Sequence, residues 1–401
     1  MSEPEPVITP AHGNQALLER EAKHGPGLWA PPIAFVRGEG VRLWDADGNE
    51  YLDCMAGIAV ASLGHGHPRL AAAIAEQAQR LIVCPQNLAN DVRGAFLEAL
   101  VARLPVGLER VFLANSGAEA NEAALKWARV ATGRRRVVAA KRGFAGRTMG
   151  ALSLTWEPSY REPFAPLPYP VDFVAFNDLD ELDVAVGDDT AVVWLEPIQG
   201  EGGVHVADHR YLERARELAT ERGALLVIDE IQTGVGRTGR FLALEHAGVV
   251  PDMVTLAKGL AGGVPIGALA MTAQVAAAMP KGGHGTTFGG NPLSAAAALA
   301  VLQEIEAVDL LAHVERVGAR LRAGLEALDS PLVRTVRGLG LMLGLELKQK
   351  VAPIVEALRA EGVLVINAGA TVIRFVPPLV ISEAEVDEVV ARVGRVLAAS
   401  G

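Results

Sequence analysis

The chain has 401 residues, of which half are hydrophobic, and its formal net charge at pH 7 is −10. This length and composition are typical of a compact α/β protein with more than one structural unit. The acidic balance argues against nucleic-acid binding, and no apolar run approaches the roughly 20 residues that a membrane span needs. The start, residues 1–6, resembles no secretory or transit peptide, and Cys54 and Cys84 lack disulfide or metal spacing, so we expect a cytoplasmic protein.

The first part of the chain predicts an arm followed by a hairpin. Residues 1–40 contain adjacent prolines and several glycines, which favour an arm that lies on another part of the protein. The segment 41–52 alternates around an Asp-Gly-Asn turn, which predicts a β-hairpin. His65 and His67 then lie on a Gly-rich turn, but two histidines without further ligands make poor zinc spacing, so no metal is expected. Two helices are predicted next, over 69–81 and 91–104.

A small-residue turn joins the next strand and helix. A strand over 110–114 is followed by an Ala-rich helix over 119–131, with Ser116, Gly117 and Ala118 between them. The free amides and the dipole of a helix start bind phosphate, and small side chains let the anion approach. The pattern also matches an ordinary capping box, and the two interpretations are compatible.

An aromatic ring and a cation, Phe144 and Arg147, follow a predicted strand over 137–140 on a Gly-rich loop. Such a pair can stack on a flat ring and bind a carboxylate. Taken alone, a core phenylalanine and a surface arginine explain the loop more simply. A later strand, over 191–195, leads to Glu201, whose glycine neighbours allow its carboxylate to approach a ligand.

Two strand ends carry opposite charges. The apolar run 224–228, typical of a strand buried on both faces, ends at Asp229, and a second run, 253–257, is followed by Lys258. In open α/β sheets, ligands bind beyond the carboxyl ends of the strands. Pyridoxal phosphate needs a Schiff-base lysine and an acidic partner for its pyridinium nitrogen, which suits this pair. A structural ion pair is equally compatible with these two residues alone.

The segment Gly234–Gly239 spells the dinucleotide fingerprint G-x-G-x-x-G. The fingerprint needs its first glycine at the strand end, a helix directly after it, and an acidic residue about 20 positions later. None of these conditions is met here, so an NAD-dependent oxidoreductase is the less favoured alternative.

The last third predicts a change of architecture. Thr286 and Thr287 precede a predicted helix over 293–306 and form a second predicted anion cradle. Three helices and two strands then alternate, with Arg374 on the last strand, over 310–327, 341–347, 351–360, 371–376 and 383–398. We therefore expect an N-terminal arm and hairpin (1–59), a large α/β domain with a mostly parallel sheet (60–305), and a C-terminal part (306–401) that completes a smaller α+β domain with the arm and hairpin.

Taken together, the motifs resemble those of one family. Their order and spacing are those of the class III (ω-amino) pyridoxal-phosphate-dependent aminotransferases: Ser116–Glu122, Phe144–Arg147, Glu196–Glu201, Asp229–Gly239, Lys258–Gly259 and Thr286–Pro292. The chain is similar to this family over nearly its whole length. It is most similar to acetylornithine aminotransferases and to their branch that acts on a lysine precursor bound to a carrier protein. The resemblance implies fold type I of the pyridoxal-phosphate-dependent transferases.

The resemblance also implies a role for each matched residue. Lys258 would bind the cofactor covalently and move protons, Asp229 would keep the pyridine nitrogen protonated, and Gln232 would bind the ring's 3-oxygen. Phe144 would stack on the ring. The phosphate would be held by Ser116, Gly117 and Ala118, together with Thr287 of a neighbouring subunit, which implies a homodimer with shared active sites.

The substrate residues follow from the same resemblance. Arg147 would bind the distal carboxylate, with Thr286 beside the substrate. Arg374 would bind the α-carboxylate of glutamate, and Glu201 would neutralise Arg374 when an ω-amine is bound. The implied reaction moves a terminal amino group between a lysine- or ornithine-type substrate and 2-oxoglutarate, in lysine or arginine biosynthesis. The donor remains open between N-acetylornithine, free ornithine or another ω-amino acid, and a carrier-linked lysine or ornithine.

Overall fold

The computed structural model describes residues 13–400, and within them the strands form one seven-stranded sheet, two four-stranded sheets and a two-stranded ribbon. The helices are α1 Asn14–His24, α2 Ala56–Ala59, α3 Pro68–Arg80, α4 Asp91–Val101, α5 Gly117–Thr132, α6 Met149–Leu154, α7 Pro158–Arg161, α8 Leu179–Ala185, α9 His209–Arg222, α10 Ala273–Ala278, α11 Pro292–Ala307, α12 Leu310–Glu326, α13 Ala352–Ala360 and α14 Glu383–Ser400. The strands are β1 Phe35–Glu39, β2 Arg42–Asp45, β3 Glu50–Asp53, β4 Leu108–Ala114, β5 Arg136–Ala140, β6 Val171–Val174, β7 Thr190–Leu195, β8 Ile198–Gln199, β9 His205–Val206, β10 Leu225–Asp229, β11 Met253–Leu256, β12 Gly267–Thr272, β13 Val333–Leu339, β14 Met342–Leu347, β15 Val363–Leu364, β16 Ile366–Ala368 and β17 Val372–Phe375.

The seven-stranded sheet has the order β4-β12-β11-β10-β7-β5-β6. Its strands are parallel except for β12, which is antiparallel to both of its neighbours. The expectation of an α/β fold with a mostly parallel central sheet is therefore confirmed. The parallel order also brings the carboxyl ends of β5, β7, β10 and β11 to one edge, which is where the candidate site lies.

The central strand β10 is buried on both faces, as its apolar run predicted. Leu226 and Ile228 pack on the side of α9, whereas Val227 packs on the opposite side against α5. Because successive side chains of a strand point to opposite faces, only an uninterrupted apolar run can serve a sheet covered by helices on both sides.

The two four-stranded sheets join the beginning and the end of the chain. The first has the order β1-β2-β3-β15, in which the predicted hairpin, β2 with β3, pairs in parallel with β15 from the last quarter of the chain. The second has the order β13-β14-β17-β16 and carries Arg374 on β17. These pairings agree with one smaller unit built from both termini, while the domain boundaries at 59/60 and 305/306 stay predictions.

Some local details go beyond the predictions or differ from them. The part of the predicted arm that the structure describes contains the helix α1 and the strand β1, and residues 1–12 of the predicted arm lie outside the described residues. The helix α4 ends at Val101 rather than at 104. Among residues 13–400, no helix is both long and apolar enough to cross a bilayer.

Candidate active site

A cavity of about 410 Å³ opens at the carboxyl edge of the seven-stranded sheet. It gathers nine of the residues that the sequence singled out, from segments far apart in the chain: Ser116, Gly117, Ala118, Phe144, Arg147, Glu201, Asp229, Gln232 and Lys258. Each of them follows a strand of the sheet or begins a helix beside it, so the sheet order alone brings them together.

Asp229 is the last residue of β10 and is only 5% exposed. Its Oδ2 accepts a hydrogen bond from Asn121 Nδ2 at 2.8 Å, and its Oδ1 accepts one from the Ile231 amide at 3.0 Å. Burial raises the pKa of Asp229 to about 6, against the lowering effect of these hydrogen bonds and of the nearby Lys258. A carboxylate held in this way favours a cationic partner, because a positive charge would offset its desolvation.

Lys258 lies two residues after the end of β11, which pairs in parallel with β10 so that Asp229 and Thr255 are register partners. Burial lowers the pKa of Lys258 to about 8, although the carboxylates of Glu201, Asp229 and Glu196 act in the opposite direction. An amine with this pKa is partly neutral near pH 7, as a nucleophile or a general base must be. Lys258 also adopts a positive φ of 42°, a backbone conformation that is uncommon for a residue other than glycine.

The start of α5 forms the predicted anion cradle. Ser116 Oγ accepts a hydrogen bond from the Glu119 amide at 3.2 Å, and the Ser116 carbonyl accepts one from Ala120. Within the described chain, the amides of Gly117 and Ala118 have no protein acceptor. A Cβ atom at Gly117 would lie 2.7 Å from Ile231 Cδ1, so any larger residue at this edge of the cavity would require the Ile231 side chain to shift. The cap and the anion cradle therefore coexist, as the sequence allowed.

The capping box itself differs from the expectation. Glu119 Oε2 accepts hydrogen bonds from the amide and the side chain of Asn115, at 2.7 and 2.8 Å, and not from the Ser116 amide. Because the carboxylate is directed at the residue before the cap, it turns away from the two free amides and does not compete with an anion for them.

Phe144 and Arg147 both line the cavity. The Phe144 amide donates to Glu196 Oε1 at 3.0 Å, which holds the loop against the end of β7. The Arg147 guanidinium stacks over the Tyr160 ring, with its Cζ 3.4 Å from the ring centroid. Phe144 is only partly buried and lines the cavity, which differs from a core phenylalanine, whereas Arg147 is exposed, as a surface arginine would be, and also lines the cavity.

Arg374 lies on β17 of the second four-stranded sheet and is fully buried; it does not line the cavity itself but contacts two residues that do, Glu201 and Gln232. Its Nη1 donates to Glu201 Oε1 at 2.8 Å and to Gln232 Oε1 at 3.0 Å, while its Nε and Nη2 have no hydrogen-bond partner. Unsatisfied guanidinium donors at a buried position are costly, and a carboxylate is the group that suits two of them. The Gln232 oxygen is occupied by Arg374, so its amide NH₂ is the part left to donate to another oxygen.

Thr286 and Thr287 are not brought to the cavity of their own chain. Thr286 Oγ1 accepts a hydrogen bond from Asn115 Nδ2 at 2.9 Å, at the outer side of the α5 start. The cap of α11 is Asn291, whose side chain accepts from the Ser294 amide. The expectation of a cradle made by Thr286 and Thr287 at that helix start is therefore wrong, because the helix begins five residues after Thr287.

Two functional residues were missed by the sequence reasoning. Glu196 lines the cavity, and burial beside Asp229 raises its pKa well above the usual range. The rule that singled out Asp229, a carboxylate at a buried strand end, could have singled out Glu196 as well. Asn121, the side-chain donor to Asp229, gave no local signal, because its contact spans 108 positions.

These observations fit the group that the resemblance implied. The two free amides of the cradle suit a phosphate, the buried Asp229 suits a pyridinium nitrogen, and the deprotonable Lys258 suits covalent attachment. All of these groups line one cavity, with the Phe144 side chain between the cradle and Arg147 available to cover a ring.

The segment Gly234–Gly239 has no part in a nucleotide site. It forms a buried turn, and a helix does not follow it directly. An NAD-binding fingerprint requires exposed amides at a helix start, so this alternative is excluded by the structure.

Comparisons with known proteins agree on one family. The family model described as Aminotransferase class-III matches residues 27–397. The chain is 52% identical over 384 residues to the [LysW]-aminoadipate semialdehyde transaminase of Deinococcus radiodurans, covering 95% of this chain and 90% of that protein. It is 49% identical to the acetylornithine aminotransferase of Mycobacterium tuberculosis, covering 92% of each.

Solved structures give the same result. The chain is similar to the ornithine aminotransferase of Toxoplasma gondii with a TM-score of 0.92 and 35% identity, covering 96% of this chain and 94% of that one. That structure is described as having partial occupancy of PLP at its active site. The N-acetylornithine aminotransferase of Stenotrophomonas maltophilia matches with a TM-score of 0.82 and 37% identity, over 96% and 99% of the two chains.

Proposed function

The chain belongs to the class III aminotransferase family, and on this premise we propose that it transfers a terminal amino group between a lysine- or ornithine-type substrate and 2-oxoglutarate, with pyridoxal phosphate as its cofactor. The observation that carries this proposal is the buried Arg374, which pairs with Glu201 on one side and keeps two donors free on the other. A transaminase must accept both glutamate, with its α-carboxylate, and an amine that has no carboxylate there. An arginine whose charge can be neutralised by a carboxylate of the same protein, here Glu201, meets both needs.

The residues of the cavity have distinct tasks in this proposal. Ser116, Gly117 and Ala118 hold the phosphate, Asp229 holds the proton at the pyridine nitrogen, and Gln232 donates to the 3-oxygen. Phe144 covers one face of the ring. When bound, the cofactor supplies an electron sink at the reacting carbon. Lys258 would move a proton between the amine-bearing carbon of the substrate and the C4′ carbon of the cofactor, a transfer that its lowered pKa of about 8 would assist.

Charge orients the substrate. Arg147, held over Tyr160, binds the distal carboxylate. Thr286 does not line the cavity of its own chain, so its proposed place beside the substrate is in the cavity of the neighbouring subunit, as for Thr287. Arg374 binds the α-carboxylate of glutamate and pairs with Glu201 in the other half-reaction. Each charge-assisted hydrogen bond contributes roughly 1.5–3 kcal/mol, which is enough to orient a substrate but not to select among amines with the same carboxylate.

The relatives narrow the physiological substrate to two pathways. One relative acts on a semialdehyde linked to a carrier protein and others act on acetylornithine, so we propose a role in lysine or arginine biosynthesis, in the cytoplasm. The carrier-linked substrate is favoured by the higher identity to the first relative. Free ornithine is a third candidate, which the similarity to the Toxoplasma gondii structure supports.

Coupled kinetics with purified enzyme test the reaction and the substrate together. The holoenzyme should convert glutamate to 2-oxoglutarate in a single half-reaction, and should then aminate a semialdehyde. If carrier-linked lysine is the substrate, its kcat/KM should exceed that of N-acetylornithine. A hundredfold preference for N-acetylornithine, which is roughly 2.7 kcal/mol of discrimination, would reject the carrier-linked assignment. If glutamate gives no half-reaction, the aminotransferase proposal itself fails.

We propose that the enzyme is a homodimer in which Thr287 completes the phosphate site of the partner. Thr287 does not line the cavity of its own chain, and the adjacent Phe288 is 62% exposed. A second exposed apolar group lies on the turn after α3, formed by Leu81, Ile82 and Val83. Exposed apolar clusters of this kind mark protein interfaces.

Complementation tests the shared site. The variants K258A and T287V should each be inactive or nearly so, and their co-expression should restore activity, because a mixed dimer contains one site with both intact residues. Activity that is not restored in a purified mixed dimer would place Thr287 in the site of its own chain and contradict this arrangement.

A further inference from the structure

The proposed function assigns no role to the segment Gly234–Gly239, called here the glycine loop. Its middle is buried, with Val235, Arg237 and Thr238 each 2% exposed. A side chain at Gly236 would meet Leu311 Cδ2 at 3.0 Å, and α12 crosses directly over the loop. The glycines therefore allow α12 to pack closely against the loop. They do not serve the approach of a nucleotide.

Arg237 is the one charged side chain of the glycine loop. Its Nη1 donates to the carbonyl oxygen of Leu341 at 3.1 Å and also to the carbonyl oxygen of Pro377, while its own carbonyl accepts from the Leu341 amide at 3.0 Å. Within residues 13–400, no carboxylate lies within 4 Å of its guanidinium. Burial accordingly lowers the pKa of Arg237 to about 9. Burying a cation whose only hydrogen-bond acceptors are backbone carbonyls costs free energy that an apolar side chain would not cost. A role in packing alone therefore does not explain its position.

The two carbonyls flank the ends of adjacent strands. Leu341 directly precedes β14, and Pro377 follows β17 by two residues. These strands are antiparallel, with Leu343 opposite Phe375 and Gly344 opposite Arg374. Arg237 therefore binds the end of this strand pair. One of its two acceptors, the carbonyl of Pro377, is three residues after Arg374 in the chain.

The same stretch of chain contacts Arg374 from the other side. Gln232 Oε1 accepts from Arg374 Nη1 at 3.0 Å, and Gln232 precedes Arg237 by only five residues. Asp229 begins this stretch at the end of β10. One continuous segment thus contains three of these residues. Asp229 is proposed to bind the pyridine nitrogen, Gln232 contacts the Arg374 guanidinium, and Arg237 binds the ends of the strand pair that carries Arg374.

We propose that Arg237 is a positioning residue, which fixes the β14–β17 pair to the glycine loop and thereby sets where the Arg374 guanidinium lies relative to Glu201 and Gln232 at the cavity wall. The inference rests on the proposed function, in which Arg374 binds the α-carboxylate of glutamate. The glutamate half-reaction uses the free donors of Arg374 directly. The ω-amine half-reaction uses Arg147 for the carboxylate and leaves Arg374 paired with Glu201, so it depends less on the position of Arg374.

The test compares R237M with R240M in the loaded holoenzyme. Arg240 lies three residues further on, directly after the glycine loop, is 54% exposed in its side chain and pairs with Glu315 at 3.4 Å. R240M therefore removes a charge of the same kind from the neighbouring position without removing a contact to the strand pair. We expect R237M to lower kcat/KM for glutamate at least tenfold and that for the amine donor less than threefold. R240M should change neither by more than twofold.

A binding measurement removes the dependence on turnover. Glutarate has two carboxylates and no amine, so its dissociation constant, measured by calorimetry on the holoenzyme, reports how both arginines hold a dicarboxylate. R237M should weaken glutarate at least tenfold. R237K should weaken it by less, because an ammonium can still donate to the two carbonyls but its side chain is shorter.

Three results would overturn the inference: an equal loss in both half-reactions, no loss in either, or unchanged binding of glutarate. If R237M does not fold, R237K decides in the same way, by a selective or a uniform loss. A failure of the proposed function is distinguishable, since it would appear as the absence of a glutamate half-reaction in the unsubstituted enzyme.

Discussion

Arg374 Nη1 lies 2.8 Å from Glu201 Oε1, and these two residues are separated by 173 positions in the chain. Arg374 is fully buried, whereas the Glu201 side chain is 34% exposed and follows a Gly-rich turn. The cation is therefore fixed and the anion has room to move. This asymmetry is what an enzyme with two alternating substrates needs, because the charge of Arg374 is either neutralised by Glu201 or offered to a carboxylate.

Replacing Glu201 by Gln should change the balance between the two half-reactions. Without the carboxylate, the charge of Arg374 stays available, so the ω-amine half-reaction should lose roughly 10- to 100-fold in kcat/KM, the value of a charge-assisted hydrogen bond. The glutamate half-reaction should be retained. Both are measured by single-turnover absorbance changes. E157Q, at the rim of the neighbouring cavity, is the matched control, and an equal loss in both half-reactions of E201Q would contradict this role.

Asp229 should make the cofactor-free protein less stable as the pH rises. Its folded pKa, about 6, is above its ordinary value of 3.8, so between these values the folded state binds the proton more readily than the unfolded state. Stability should therefore fall as the pH rises from about 4 to about 6. D229N should remove this slope and gain up to ~3 kcal/mol relative to the parent above pH 6. Urea unfolding of both proteins across this window measures the difference, and parallel curves would refute the assignment.

Lys258 should destabilise the cofactor-free protein at neutral pH. Its folded pKa, about 8, is below the ordinary 10.5, so the unfolded state binds the proton more readily between these values. The penalty is complete below pH 8 and disappears as the pH rises towards 10.5. K258M should be inactive, yet more stable than the parent at pH 7 by up to ~3 kcal/mol. The advantage should vanish near pH 10.5 in the same unfolding experiment, and a K258M protein that is less stable at pH 7 would show that the amine is not desolvated.

Gly117→Ala should weaken the binding of pyridoxal phosphate while leaving the fold intact. The added methyl group would lie 2.7 Å from Ile231 Cδ1 and would narrow the space in front of the two free amides. Overpacking of this kind costs typically 1–3 kcal/mol, so the dissociation constant should rise roughly 5- to 150-fold. Titration of the cofactor-free protein by fluorescence measures it. S153A, a buried small residue on α6 outside the cavity, is the control, and cofactor affinity equal to the parent would show that the phosphate is held elsewhere.

Local patterns were sufficient for the elements that carry the cofactor site. The apolar runs predicted β10 and β11, and the strand-end rule singled out Asp229 and Lys258 before any contact was known. The small residues after β4 predicted the cradle in the same way, because a helix start needs no distant partner to expose its amides. The same rules failed for Thr286 and Thr287, since hydroxyls near a helix do not show which residue caps it.

The sequence alone determined which strands end in a polar residue and in what order these strands follow along the chain. It could do so because burial on both faces and the length of a strand are properties of consecutive residues. The tertiary structure decided which side chains meet: Asn121 with Asp229, Arg374 with Glu201 and Gln232, and Arg237 with the carbonyls of two strands over a hundred positions away. Such contacts join segments whose relative position depends on how separate sheets pack. The hydrophobic periodicity of either segment therefore does not indicate how the sheets pack.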